Sequence, residues 1–101
     1  MKTYRKGADF EREICRLANS MGWLAVRGGG SKSWPPFNLP NFKIDIACMS
    51  LEKDLTICFQ AKKGKSSPSA LLQANRHLPI DTPHIQFRAV DNLERVREIL
   101  G

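Results

Sequence analysis

The segments KIDIACM, residues 43–49, and LTICFQAK, residues 55–62, decide how this chain folds. Both are short runs rich in the apolar residues that favour strands, and the polar residues between them include Glu52 and Lys53. Two such runs with a short polar segment between them predict a β-hairpin closed by a tight turn. We therefore expect a pair of antiparallel strands joined at these two residues.

Alternation along this hairpin separates an apolar face from a polar one. With the turn at residues 52–53, Ile44 and Ile46 belong to the apolar face, and Asp45 lies across from Gln60 on the other. Lys62 follows one step along the polar face. A register shift of one residue would place the Asp45 carboxylate among apolar side chains, which is costly, so the pattern favours this register.

The acid, the amide and the lysine together suit a site for a hard divalent cation. A carboxylate beside an amide oxygen supplies the oxygen ligands that Mg²⁺ prefers, and we expect Mn²⁺ to substitute for it. Glu11 flanks the apolar stripe of the first predicted helix, so it can add a third oxygen ligand. The alternative, for the hairpin pattern alone, is an edge strand with solvated polar side chains.

A helix is predicted from residue 8 to residue 21, ahead of the hairpin. Its apolar residues recur every three or four positions, and Gly22 follows as a C-cap. The apolar stripe consists of Phe10, Ile14, Leu17 and Met21. A short strand is then predicted at residues 23–27.

After the hairpin, the sequence predicts a helix, a strand and a last helix. Pro68 lies in the first turn of the helix, and the strand covers residues 84–90. Asp91 and Glu94 form a capping box that opens the last helix. The expected fold is one α/β domain, residues 1–101, with a mixed central sheet flanked by helices in the order α-β-β-β-α-β-α.

The composition fits a globular domain whose partner carries negative charge. Sixteen Lys and Arg against ten Asp and Glu give a net charge of +6. On charge alone, a DNA-binding protein and a basic protein without such a partner fit equally well. Three cysteines without CxxC spacing, and the absence of a signal-peptide or membrane-span pattern, predict a cytoplasmic protein with no membrane association and no small-molecule cofactor.

Four blocks of sequence carry a resemblance to a known family: YRKGADFERE, AVRGGGSKS, KIDIA and FQAKKG, in that order along the chain. In content and spacing they resemble the archaeal Holliday-junction resolvases and their viral relatives, within the PD-(D/E)xK nuclease superfamily. The resemblance implies a restriction-endonuclease-like α/β core. It also implies a homodimer that cuts two strands of a four-way DNA junction with Mg²⁺.

The resemblance further implies roles for individual residues. Glu11 corresponds to the acid of the first helix, Asp45 to the central metal ligand and Lys62 to the lysine of the motif. Gln60 takes the position of the second acid, and Ser31 that of a serine that positions a phosphate. The expected metal ligands are Asp45, Gln60, Ala61 and Glu11. The expected DNA contacts are Arg5, Lys6, Arg27, Gly30, Ser31, Lys32, Lys63 and Lys65.

Three features depart from the family pattern. Ile44 replaces the proline that names the motif, and Gln60 replaces an acid, which leaves Asp45 and Glu11 as the charged ligands. A loop at residues 32–42, rich in proline and aromatic residues, looks inserted before the metal-site strand. Its aromatic residues either stack on unpaired bases or contact a partner subunit, or they pack against their own domain.

These patterns lead to an expected function and two alternatives. The leading hypothesis is a Mg²⁺-dependent endonuclease that resolves four-way junctions through paired nicks made by a homodimer. The first alternative is another PD-(D/E)xK nuclease, such as an Mrr-like restriction enzyme or a flap-type repair nuclease. The second is a catalytically weak protein that binds junctions, which the neutral amide of Gln60 keeps open.

Overall fold

The computed structural model describes residues 2–28, 44–62 and 68–101, with side chains from residue 9 in the first range and from residue 69 in the third. The predicted order α-β-β-β-α-β-α is confirmed. The elements are α1 (Lys2–Ser20), β1 (Leu24–Arg27), β2 (Ile46–Ser50), β3 (Leu55–Ala61), α2 (Pro68–Arg76), β4 (Ile85–Val90) and α3 (Leu93–Leu100). Among these described residues, no helix combines the length and apolar character needed to cross a membrane.

The four strands form one mixed sheet in the order β1-β2-β3-β4. The β1–β2 and β2–β3 pairs are antiparallel, whereas β4 runs parallel to β3. The predicted hairpin register is confirmed from Ile46 to Ser50, with Ile46 opposite Phe59 and Cys48 opposite Ile57. The predicted pairing of Asp45 with Gln60 is wrong, because the ladder ends at Ile46 and Asp45 N–H donates to Phe59 O. The parallel pairing requires a crossover, and α2 provides it.

Both faces of the sheet are covered, as expected of a central sheet flanked by helices. On one face, α1 and α3 enclose the first core, which includes Ile14, Ala18, Trp23, Ile46, Phe59 and Val96. On the other face, α2 packs over the second core, which includes Ala47, Cys58, Leu78 and Ala89. The alternative of an edge strand with solvated polar side chains does not hold for the middle of β2 and β3, where Ala47 and Cys58 are buried.

The first helix extends further towards the N-terminus than predicted. It begins at Lys2 rather than at residue 8, because the apolar periodicity that marked the helix starts only at Phe10. The predicted C-terminal end of α1, capped at Gly22, is confirmed. Gly22 adopts a positive φ of 91°, and Trp23 N–H donates to Ala18 O at 2.9 Å, as in a Schellman motif.

The last helix begins at a different cap from the one predicted. Asn92, and not Asp91, is the N-cap residue, and its Oδ1 accepts from Arg95 N–H at 2.8 Å. The predicted capping box of Asp91 and Glu94 is wrong. The chain bends at residues 91–92, and this bend brings the Asn92 side chain to the N–H groups of the first turn of α3. Asp91 instead accepts a hydrogen bond from the Asn92 amide at 2.9 Å.

Strand β4 is an outer strand of the sheet, and its exposed backbone edge is closed by side chains. The amide of Asn75, on α2, accepts from Ala89 N–H at 2.9 Å and donates to Ala89 O at 3.3 Å. The same amide donates to Leu71 O at 3.0 Å. One side chain thus satisfies both edge groups of a β4 residue and ties α2 to the sheet.

The other two outward-facing residues of β4 are closed in a similar way. Thr82 accepts from Ile85 N–H through its hydroxyl at 3.0 Å and donates its own N–H to Ile85 O at 2.8 Å. Asp81 Oδ1 accepts from Phe87 N–H at 2.9 Å, and Arg88 Nη1 donates to Phe87 O at 2.6 Å. Asp81 and Arg88 also form an ion pair at 2.8 Å, which holds the two capping groups together.

Candidate active site

Asp45 lies at the end of the sheet where β1 ends and β2 begins. Its carbonyl accepts from Gly28 N–H at 2.8 Å, and its own N–H donates to Phe59 O at 2.9 Å. The backbone of Asp45 is therefore held from both sides, by the residue that follows β1 and by a residue of β3. This double attachment fixes where the side chain starts.

The carboxylate of Asp45 reaches the backbone of β3. Its Oδ2 accepts from Ala61 N–H at 2.8 Å, and the residue is half-buried. A hydrogen bond from an N–H group to a carboxylate favours the charged form and restricts the side-chain rotamer. The acid that the sequence selected as the central metal ligand is thus preoriented against the QAK segment.

The regular alternation of β2 breaks at Asp45. Ile46 lies in the first core but Ile44 lies in the second, so the prediction that both share one apolar face is wrong. The hydrogen bonds give the reason. Asp45 N–H donates to the carbonyl of Phe59, the residue already paired with Ile46, so two residues of one strand oppose one residue of the other, as in a β-bulge.

The end of β3 supplies the remaining residues of the predicted motif. Lys62 N–H donates to Val90 O at 2.8 Å, on the β4 side, whereas Ala61 N–H points to the Asp45 side. Because the N–H and C=O of one strand residue point to the same side, the Ala61 carbonyl also faces the strand that carries Asp45. Gln60 pairs with Ala89 in the ladder, and both Gln60 and Lys62 are half-buried.

Glu11 and Arg27 form an ion pair beside this end of the sheet. Arg27 Nε and Nη2 both donate to Glu11 Oε1, at 3.3 Å and 3.2 Å. The side chains of Glu11 and Arg27 are 24% and 37% exposed, so the pair is partly shielded from solvent. The sequence selected these residues separately, as a metal ligand and a DNA contact, and did not predict that they bind each other.

Cys15 lies close to this ion pair, one helical turn after Glu11. Burial raises the pKa of the Cys15 thiol, while the Arg27 charge lowers that pKa and the Glu11 charge raises it. The thiol is therefore held in its neutral form at the boundary between the ion pair and the first core.

Several predicted site residues lie outside the described residues. They are Gly30, Ser31, Lys32, Lys63, Lys65 and the loop at residues 32–42. The backbones of Arg5 and Lys6 belong to α1, but their side chains are not described. Within the described ranges, no group of three or more His, Cys, Asp or Glu is arranged to hold a metal ion.

The described oxygen donors nevertheless fit a hard cation. They are the Asp45 carboxylate, the side-chain oxygen of Gln60 and the carbonyl of Ala61, with Glu11 on the neighbouring helix. Carboxylate, amide and backbone oxygens are the ligands that Mg²⁺ accepts, and Mg²⁺ commonly keeps several waters and few protein ligands. A site with two carboxylates is therefore compatible with this ion.

A comparison with family models identifies the relatives of this chain. The model described as archaeal Holliday junction resolvase (Hjc) matches residues 2–77. The chain belongs to this family. The matched region runs from α1 to the residue after α2, so it contains Glu11, Arg27, Asp45 and the QAK segment, whereas β4 and α3 lie beyond it.

Membership in the Hjc family implies a nuclease of the resolvase class. No curated protein and no solved structure matches the chain. The basis for assigning a function is therefore the family match together with the geometry of Asp45 and Ala61.

Proposed function

We propose that this protein is a Mg²⁺-dependent endodeoxyribonuclease that resolves four-way DNA junctions. The observation that carries the proposal is the Asp45 carboxylate held on Ala61 N–H, in a chain of the Hjc family. Gln60 and Lys62 flank Ala61 in the sequence, so their backbones belong to the segment that the acid contacts. This is where a PD-(D/E)xK nuclease requires its metal ligands and its lysine.

Asp45, Gln60, Ala61 and Glu11 are the residues that would hold the metal ion. When bound, Mg²⁺ supplies charge stabilisation at the scissile phosphate and activation of the attacking water. Asp45 provides the preoriented anion for this site, because its carboxylate is already fixed by Ala61. Glu11 adds the second negative charge. Gln60 contributes an oxygen without a charge, which predicts a higher metal requirement than an acid at this position would give.

Lys62 is proposed to act on the phosphate and on the attacking water. Its backbone is tied to Val90 on β4, so the start of the side chain is fixed. An ammonium group at this position neutralises the negative charge that develops on the phosphate, or orients the water for attack.

Binding to DNA is proposed to follow from the charge of the chain and from its N-terminal half. The net charge of +6 favours binding to DNA, because contacts with the phosphate backbone dominate the affinity of proteins for DNA. The proposed contacts are Arg5, Lys6, Arg27, Gly30, Ser31, Lys32, Lys63 and Lys65. Selection of a four-way junction is proposed to arise from two active sites in a homodimer, each of which cuts one strand.

A cleavage assay on two DNA substrates tests this proposal. Purified protein is incubated with Mg²⁺ or Mn²⁺ and with either a four-way junction or a linear duplex of the same arm sequence. We expect paired nicks confined to the junction. Cutting of the linear duplex would instead identify another nuclease of the superfamily, and binding without cleavage in either metal would identify the junction-binding alternative.

A supercoiled plasmid with an extruded cruciform tests the dimer. A single nick releases the supercoiling and the cruciform is reabsorbed, so one cut gives a nicked circle, whereas two cuts in one encounter give a linear plasmid. We expect linear product, and gel filtration should show a species of twice the 11.4 kDa chain mass. Nicked circles and a monomeric elution volume would contradict the proposed homodimer.

A further inference from the structure

The ion pair between Glu11 and Arg27 is asymmetric. Arg27 uses two nitrogen atoms, Nε and Nη2, and both donate to the same oxygen, Glu11 Oε1, at 3.3 Å and 3.2 Å. In the part of the chain that the structure describes, Glu11 Oε2 has no hydrogen-bond partner. The contact therefore orients the carboxylate through Oε1 and does not use Oε2.

The two residues of this pair are anchored in different elements. Arg27 is the last residue of β1, opposite Ile46, and the next residue donates its N–H to Asp45 O at 2.8 Å. Glu11 lies on α1, one turn before Ile14, which is fully buried in the first core. The pair thus links the helix to the end of the sheet at which Asp45 lies.

We infer that Arg27 is a positioning residue that holds Glu11 through Oε1 so that Oε2 can bind the divalent cation. The inference rests on the proposed function, because that proposal makes Glu11 a metal ligand. A free glutamate on a helix surface loses rotamer freedom when it binds an ion, and Arg27 removes part of this cost in advance. Partners that orient metal ligands in this way are an ordinary part of metal sites.

Orienting the Glu11 carboxylate requires the planar guanidinium of an arginine side chain. A guanidinium presents Nε–H and Nη2–H in a fixed plane, whereas a lysine has one ammonium group that contacts the carboxylate from many directions. Arg27→Lys therefore keeps the positive charge near Glu11 but loses the fixed orientation. A change in metal affinity caused by this substitution reports orientation rather than charge.

The test measures binding of Mn²⁺ to the full-length, DNA-free protein, with free Mn²⁺ followed by electron paramagnetic resonance. We expect Arg27→Lys to weaken Mn²⁺ binding on the order of tenfold. In a Glu11→Gln background the same substitution should cause no further loss, because the ligand that it orients is gone. Arg12→Lys is the matched control, since Arg12 pairs with Asp9 on the exposed side of α1, and it should leave Mn²⁺ affinity unchanged.

Unchanged Mn²⁺ affinity in Arg27→Lys would overturn the inference, and so would an equal loss with and without Glu11. A Glu11→Gln variant that binds Mn²⁺ like the parent would overturn it as well. Circular dichroism and urea unfolding of each variant exclude loss of the fold as the cause. Cleavage of a four-way junction by the parent protein tests the proposed function separately, so a failure of one assay is distinguishable from a failure of the other.

Discussion

The carboxylate of Asp45 is fixed by the backbone N–H of Ala61, at 2.8 Å, across the break in the β2–β3 ladder. An asparagine at this position can still accept that hydrogen bond through Oδ1, because it has the same shape. It lacks only the negative charge. The two properties of this side chain, its place in the fold and its charge, can therefore be separated by one substitution.

Asp45→Asn should abolish cleavage and spare both folding and junction binding. Loss of the anion removes the principal metal ligand, so we expect the cleavage rate to fall by about a thousandfold or more, a barrier increase of about 4 kcal/mol. Cleavage is measured on a labelled junction in Mg²⁺, and binding is measured by gel shift in EDTA. Asp54→Asn is the matched control, at the opposite end of the hairpin, where a φ of 51° suits asparagine. An Asp45→Asn enzyme that cuts at the parental rate would rule out this site.

Gln60→Glu should lower the amount of metal that the enzyme needs. The substitution preserves the shape of the side chain and adds a negative charge to the proposed set of metal ligands, and ligand charge is a main determinant of divalent-cation affinity. We expect the Mg²⁺ concentration for half-maximal cleavage to fall on the order of tenfold. A Mg²⁺ titration of the cleavage rate checks this. If the midpoint stays the same, Gln60 is not a ligand of the metal.

Asn75→Ala should destabilise the domain without touching the candidate site. The Asn75 amide satisfies the N–H and the C=O of Ala89, so its removal leaves buried edge groups without partners. We expect the free energy of unfolding to fall by about 1–3 kcal/mol, measured by urea denaturation. Gln73→Ala, at an exposed position of the same helix, serves as the control. Equal stability of the two variants would show that the edge contacts contribute nothing measurable.

The buried thiols of Cys48 and Cys58 predict how stability depends on alkaline pH. Burial is the main cause that raises the pKa of Cys48, to about 12, and it raises the pKa of Cys58 to about 11. The folded protein therefore keeps both thiols protonated above pH 9, while the unfolded chain releases their protons. This contribution to stability is complete below pH 9 and is lost as the pH rises from 9 through 11 and 12.

The expected loss is on the order of 1 kcal/mol per pH unit for each thiol. It is measured as the change in the free energy of unfolding between pH 9 and pH 10.5. Cys48→Ala lowers stability at every pH because it leaves a cavity, but it should make the pH dependence shallower. The same pH slope in the variant and the parent would show that Cys48 does not titrate on unfolding.

The hairpin was the part of the fold that the sequence predicted best. The apolar pattern around Ile46 and Phe59 fixes a register that a slip of one residue would destroy, so local sequence was sufficient. The face of Ile44 could not be predicted, because the bulge at Asp45 depends on a hydrogen bond to a distant residue of β3. The same limit applies to the cap of α3, where Asn92 and Asp91 are neighbours with similar capping ability.

The sequence proposed members of the candidate site but not the contacts between them. The alternation of the hairpin selected Asp45, the position of Glu11 beside the apolar stripe selected that acid, and the family resemblance supplied Arg27. No local pattern links a helix acid to a strand arginine 16 residues later, so their ion pair appears only when α1 packs on β1. The roles of these residues remain the subject of the experiments above.

The closed edge of β4 has a consequence for how molecules of this protein can meet. A molecule that approaches this strand finds every outward N–H and C=O of Ile85, Phe87 and Ala89 already bonded within the chain. Continuation of the sheet from one copy into the next would have to break those bonds first. The edge of β4 therefore does not template fibrils, and any lasting contact there must be made through side chains.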